Sequence, residues 1–254
     1  MLPTRPEFVP DASQSRAEME SMQFDVADAA TWEDDFPFDA EAVGLADWAP
    51  DDAPLVAGVD QAFLDESAVS VVVVMRGGRV IERASAVVDL EIPYVPGLLS
   101  FREGNPILAA FEEVEVTPDL VVFDGSGRIH FRQAGLATHL GVVLDVPSVG
   151  VAKSLLCGTP RESVDGRPAG WQTDIIADGR VENAASEEVI GHAYQSRQYA
   201  NEPIVNPLYV SPGHRVSVPT ATDLVARLCG DYKLPEPTRT ADKYADEVKS
   251  SVRG

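Results

Sequence analysis

The sequence predicts an α/β fold, a mixed central β-sheet flanked by helices. Three observations carry that expectation. Between Leu55 and Ile92 three strand-like stretches follow one another without a helix, whereas from Asn105 onward helical and strand-like patterns alternate. At 254 residues with 44% hydrophobic side chains, the chain is also long enough to bury a sizeable core.

Residues 1–54 read as an acidic, turn-rich N-terminal extension, with one short helix near 14–22 or 39–47 and partial docking through Phe36, Phe38 and Trp48. Regular patterning runs from Leu55 to 242. Residues 243–254 form a C-terminal tail, and the stretch YKLPEPTRTADKY leading into it either packs across the domain or stays loose. LVAGVDQAFL (55–64), AVSVVVVMR (68–76) and RVIERASAVVDLEI (79–92) are three strands, the last two a hairpin about Gly77-Gly78. Asn105-Pro106 has the form of an N-cap with proline at the first helical position, opening NPILAAFEEVEV. DLVVFDGSG (119–127) is a continuous apolar run ended by an aspartate and a glycine turn, as in a strand buried on both faces. RQAGLATHLGVVLD is a helix, VPSVGVAKS a short buried strand, and GWQTDIIADGRVE a hairpin about Asp178-Gly179. VIGHAYQSRQ and PIVNPLYVS are two further strands, and VPTATDLVARLCG is a helix stopped by Gly230.

Composition removes several classes of function. No segment approaches the roughly 20 uninterrupted apolar residues of a membrane helix. The first residues lack the layout of a signal peptide, so a cytoplasmic protein is expected. Cys157 and Cys229 have neither CxxC spacing nor histidine companions and read as buried small hydrophobes. With 41 acids against 20 bases the net charge is −21, which ordinarily disfavours a polyanionic partner. The acids are unevenly placed, however. Residues 1–54 hold 14 of them against Arg5 and Arg16, a net of −12, and the remaining 200 residues carry only −9. A high acid count with just four lysines also resembles proteins of salt-loving archaea. At about 1 M salt the Debye length is roughly 3 Å, so repulsion from a polyanion is largely screened.

Three acids stand in apolar places. Asp60 interrupts LVAGVDQAF, Asp124 ends LVVFD, and Glu103 is embedded in LLSFREG. A buried carboxylate costs several kcal/mol unless it is paired, hydrogen-bonded or bound to a cation. If the strands of Asp60 and Asp124 are neighbours, their carboxylates share one end of the sheet, and a divalent cation relieves the repulsion. Glu103 completes an oxygen-only set that suits magnesium or manganese rather than zinc. Each acid has an ordinary reading too: Asp124 capping its glycine turn, Asp60 paired with an arginine across the sheet, Glu103 on a solvated helix face. A second feature is Pro93-Tyr94-Val95-Pro96, a loop tip with little entropy left to lose that can present Tyr94 to a partner or simply form a surface turn.

Six stretches decide between these readings. GVDQAF (58–63), PYVPGLLSFREG (93–104), DGSGRIHFRQAGLATHLG (124–141), SVGVAKSLL (148–156), SPGHRVSV (211–218) and LPEPTRTAD (234–242) occur in this order, and together the chain resembles the endonuclease V family, repair nucleases acting on deaminated adenine in DNA. The resemblance implies a ribonuclease H-like fold and a Mg2+ cofactor for which Mn2+ can substitute. It further implies cleavage at the second phosphodiester bond 3′ to deoxyinosine, leaving 3′-hydroxyl and 5′-phosphate ends. Asp60, Glu103 and Asp124 become the metal-binding acids, and Pro93, Tyr94, Val95 and Pro96 a wedge that separates strands. Gly125, Gly127 and His130 fall near the lesion pocket, Lys153 near the scissile phosphate, and His214 beside the metal. Two departures are visible: Phe131 stands where the family usually has proline, and Phe63 where it often has tyrosine.

That chemistry accounts for the residue types. A base inside a duplex is reached only by extruding it, at a cost of a few kcal/mol, and an apolar wedge holds the distorted duplex open. Glycine backbone in DGSG can approach the edge of hypoxanthine closely because no Cβ intervenes. Ions held by the three acids activate water and offset charge on the leaving oxygen. Arg102, Arg128 and Arg132, with Arg197 and Arg215, form a candidate track for phosphates. His214, in the turn before a helix, either orients a water or a ligand carboxylate or simply packs within its turn, whereas His139 and His192 are ordinary helix and strand residues. The expected partner is deoxyinosine-containing DNA, bound by a monomer without a membrane. The alternatives are an inosine-specific ribonuclease and a non-catalytic lesion-binding protein. The acidic first segment is either a solvation device for high salt or a docking tail.

Overall fold

The computed structural model describes residues 1–201 and 205–253. Its centre is a nine-stranded mixed sheet ordered β3-β2-β1-β4-β5-β9-β8-β7-β6. The strands are β1 (Leu55–Phe63), β2 (Ser67–Arg76), β3 (Arg79–Asp89), β4 (Leu120–Asp124), β5 (Ser148–Ala152), β6 (Thr159–Pro160), β7 (Gln172–Ile176), β8 (Val189–Tyr194) and β9 (Leu208–His214). β1 runs antiparallel to β2 but parallel to β4, and β4 parallel to β5, as expected of a mixed α/β sheet. The strand read at PIVNPLYVS begins at Leu208; its residues 203 and 204 lie outside the described residues.

Helices cover both faces because alternate residues of the central strands are apolar on both sides. Ala57, Val59, Val121 and Phe123 pack against α2 (Leu99–Glu112) and α3 (Leu136–Leu144) through Ile107, Phe111, Leu140 and Val143. On the opposite face Val56, Val122, Val149 and Val210 meet α4 (Val218–Leu228) through Leu224 and Val225. Val69, Val71 and Val73 meet α5 (Glu236–Arg253) through Ala241 and Ala245. Of the two expectations for the end of the chain, the packed one holds: α5 is an 18-residue helix lying across the sheet, and position 243 lies inside it rather than opening a separate tail. Among the described residues no helix is long and apolar enough to cross a membrane.

Three other local expectations fail for identifiable reasons. Pro106 lies inside α2 rather than at its start, because the helix begins at Leu99 and its apolar face, Phe101, Ile107, Leu108 and Phe111, is buried along its whole length. The Asp178-Gly179 turn does not close a tight hairpin but lies within the 177–188 connection between β7 and β8. β7 pairs with β8 beyond it, and Asp178 turns its carboxylate onto Arg180. Trp48 does not dock, being 79% exposed, although Phe36 and Phe38 stack 4.4 Å apart against the α4 side. Within residues 1–54, α1 (Arg16–Ala29) starts at a capping box in which Ser15 and Glu18 satisfy each other's backbone N–H groups. Its Met19, Gln23 and Val26 are buried.

Candidate active site

Strand register assembles the site. Val59 is level with Phe123 and Asp124 with Val151, so Asp60 and Asp124 stand at the carboxyl ends of adjacent parallel strands, and Lys153 follows the end of the third. This edge is where open α/β sheets bind ligands. Glu103 reaches the same edge from the second turn of α2, and Asp60, Glu103 and Asp124 border one cavity of about 220 Å³ with Phe63, Ile107 and Leu136. Lys153 donates from Nζ to Asp124 Oδ2 at 2.7 Å.

The acids are electrostatically unresolved. Burial, and then the negative charge of Asp124, push the Asp60 carboxyl up to about 8. Burial also raises Glu103 to about 7, with Asp124 adding to the shift and Arg102 opposing it. Burial works against the Lys153 ammonium, yet its bond to Asp124 and the charges of Asp124, Asp60 and Asp242 hold its pKa above the ordinary value. Asp242 is a site residue that the sequence reading passed over. It acts on both Asp60 and Lys153 from the exposed side of α5, and its signal was the final letter of LPEPTRTAD, the last of the six matching stretches. α5 comes this close because Gly58 has no side chain; a Cβ there would stand 2.1 Å from the carbonyl carbon of Pro237.

The donor set suits a hard divalent ion: oxygen only, desolvated, mutually repelling, with carboxyls that burial keeps from ionising unaided. Among the described residues, no three His, Cys, Asp or Glu side chains are drawn into ligating positions, and the ammonium of Lys153 stands on Asp124 instead.

Next to the acids lies an apolar pocket of about 270 Å³, bordered by Tyr94, Gly97, Gly125, Ser126, His130 and Leu136 among others. Leu136 walls both cavities, and Asp124 and Gly125 are consecutive. Tyr94 is 63% exposed at the tip of its loop, whereas Val95 turns inward onto Met19, Met22 and Leu98. His130 is buried, which lowers its pKa to about 4 and keeps it neutral. The Arg132 N–H donates to Nδ1, assigning the proton to Nε2, which donates to the Gly97 carbonyl at 3.1 Å. Phe131, the departure from proline, packs its ring under Gly97, where a Cβ would stand 2.9 Å from it.

Several expected residues are elsewhere or occupied. Gly127 does not border the pocket; it is pressed against the Pro212 carbonyl and lets the DGSG turn cross β9. His214 ends β9 level with Ser148, at the opposite edge of the sheet, where Nδ1 accepts from Thr31 N–H and Nε2 meets Asp145 at 3.1 Å. It is not beside the acids. The arginine track is largely committed as well. Arg128 pairs with Glu188 and stacks on Trp32, Arg132 pairs with Glu20 and Glu182, Arg197 with Asp231, and Arg215 with Asp35 and Asp145. Arg102 lies over Phe63, 5.1 Å from its centroid, beside the acid cavity. Both cysteine thiols are pushed up to about 12 by burial and are inert.

A sequence model of the family Endonuclease V matches residues 40–243. The chain belongs to the endonuclease V family. Endonuclease V of Haloarcula marismortui is 57% identical, with 98% of both chains covered, and that of Natronomonas pharaonis 55% identical, with 96% of both covered. Both are relatives from the halophilic archaea. Among solved structures, the endonuclease V of Streptomyces avermitilis superposes with a TM-score of 0.78 at 29% identity, covering 100% of both chains. Endonuclease V of Ciona intestinalis, solved with a 24mer DNA containing an inosine followed by a ribo-adenosine, superposes with a TM-score of 0.72 at 27% identity, covering 93% of this chain and 98% of that one. The fold is therefore ribonuclease H-like, and the chain is a nuclease of this family.

Proposed function

We propose that the protein recognises deoxyinosine in DNA and hydrolyses the second phosphodiester bond on its 3′ side, leaving 3′-hydroxyl and 5′-phosphate ends. One observation carries the reading: an acid-lined cavity and a neutral pocket sharing the wall residue Leu136, with an exposed tyrosine on a proline-stiffened loop at the pocket's rim. Tyr94 enters the duplex and fills the gap left by the extruded base, its loop already ordered by Pro93 and Pro96. Gly125 and Ser126 offer backbone groups to the base edge, and neutral His130 holds the loop that closes the pocket. Asp60, Glu103 and Asp124 hold Mg2+, or Mn2+ in its place, with Asp242 adding negative charge nearby. When bound, the ion supplies the positive charge that makes water nucleophilic and offsets charge on the leaving oxygen. Lys153 orients the scissile phosphate from the same strand edge, and Arg102 contacts an adjacent one.

The Ciona relative's complex has a ribo-adenosine after the inosine, which favours a second reading in which inosine-containing RNA is also cut. The protein acts as a cytoplasmic monomer without a membrane partner, and its acidic first segment sustains solubility at high salt. The test is nicking of a duplex carrying one inosine, with magnesium and high salt, beside the matching RNA and an undamaged duplex. Wild type should nick at the second bond, and Asp124→Ala should not. An inert wild type, or an active Asp124→Ala, overturns the proposal.

A further inference from the structure

Resting on that functional reading, we propose that α1 belongs to the lesion-reading apparatus, with Gln23 as a positioning residue that locks the wedge loop to the pocket wall. α1 precedes residue 40, where the family match begins, and lies in the segment whose composition suggests mere solvation.

Gln23 is fully buried, unusual for an amide side chain on a helix with so acidic an outer face. Both ends of the amide are used, and on different partners. Nε2 donates to the carbonyl of Gly97 at 2.8 Å, and Oε1 accepts from Arg132 at 3.1 Å. Gly97 closes the wedge at φ +82°, a left-handed turn that suits glycine, and its carbonyl also accepts from His130. Arg132 lies two residues beyond His130 and returns to α1 through Glu20 at 3.0 Å. The foot of the wedge, the His130 side of the pocket and α1 therefore share one buried hydrogen-bonded knot. The apolar seat has the same origin, since Met19 and Met22 of α1 pack with Ile92, Val95 and Leu98. No other element supplies both a donor to Gly97 and this seat among the described residues. A wedge that must hold its shape while a duplex is forced open gains rigidity from such a knot, and pocket and wedge keep a fixed spacing.

The test uses the full chain. Gln23→Met removes both hydrogen bonds at nearly constant length, while the Gly97 carbonyl keeps His130 and Arg132 keeps Glu20 and Glu182, so the fold survives. Gln23→Glu retains an acceptor for Arg132 but cannot donate to Gly97 when ionised. Amide hydrogen exchange at Tyr94, Val95, Gly97 and Leu98, without DNA, should accelerate about tenfold in both variants with β4 and β5 unchanged. In steady-state nicking, preference for inosine over undamaged duplex should fall about tenfold, mainly through KM, with the magnesium midpoint unmoved. Unchanged exchange in the wedge, or equal losses on both duplexes with a shifted magnesium midpoint, overturns the inference. If wild type does not nick inosine DNA, the functional reading falls, and the exchange data still decide whether Gln23 holds the wedge.

Discussion

At the carboxyl edge of β1, β4 and β5, the acids Asp60, Glu103, Asp124 and Asp242 share one close ammonium, Lys153. At the amino edge of β5, His214 meets Asp145, Asp145 meets Arg215, and Arg215 meets Asp35. The two clusters are built from similar residues and differ in whether each polar group finds a protein partner. In the His214 chain each group finds one: burial holds the imidazole pKa below its usual value, both ring nitrogens are hydrogen-bonded, and Arg215 lies between Asp145 and Asp35. The acid cavity holds an excess of carboxyls over its one ammonium, and burial keeps Asp60 and Glu103 from ionising there. Folding tolerates such an excess where a ligand later resolves it, which makes the unresolved cluster the functional one.

The largest test of that contrast is catalytic. Asp60→Asn should lower inosine nicking by about 10³-fold or more, whereas Asp145→Asn should leave it within about twofold. Equal losses from both would erase the distinction.

Titration gives the next effect. Unfolded, Asp60 and Glu103 titrate near 3.8 and 4.5; folded, near 8 and 7. The native state binds more protons between those values, so without metal the stabilisation present below the unfolded pKa values is lost as pH rises through the folded ones. Melting in chelator at pH 5.5 and 8.5 should show Tm falling by about 5–10 °C, and magnesium should raise Tm more at the higher pH. A Tm that climbs with pH in chelator breaks the account.

Smaller is the wedge. Tyr94→Ala should reduce preference for inosine over undamaged duplex about tenfold, with single-turnover cleavage of bound substrate less affected. Smallest is the His214 cluster itself: Asp145 adopts φ +49° at the end of α3, a conformation asparagine tolerates, so Asp145→Asn removes only charge and should lower Tm by about 2–4 °C.

What was legible in the sequence follows the same division. Asp60 and Asp124 could be read because a carboxylate inside an apolar run has few explanations, and the register of two parallel strands did the rest. The fate of the arginines could not, since Glu20, Glu182, Glu188 and Asp231 lie far from their partners along the chain. α5 was hidden for a different reason. It is polar on average and buries only Pro237, Thr238, Ala241 and Ala245, so its composition resembles a charged tail although its apolar residues recur at helical spacing. Pro106 misplaced the start of α2 because a proline most often marks a first turn, and here the buried apolar stripe on both sides of it outweighed the lost hydrogen bond. His214 was placed near the acids by resemblance alone, and strand direction sends it to the far edge.

The contact between Gly58 and Pro237 has one more consequence. Main chain touches main chain there, with no rotatable group between, so the gap separating the first strand from the last helix is set by van der Waals contact of the two backbones. Changes of salt that rearrange a crowded acidic exterior leave such a spacing untouched, and the side chains of Asp60 and Asp242 inherit its constancy.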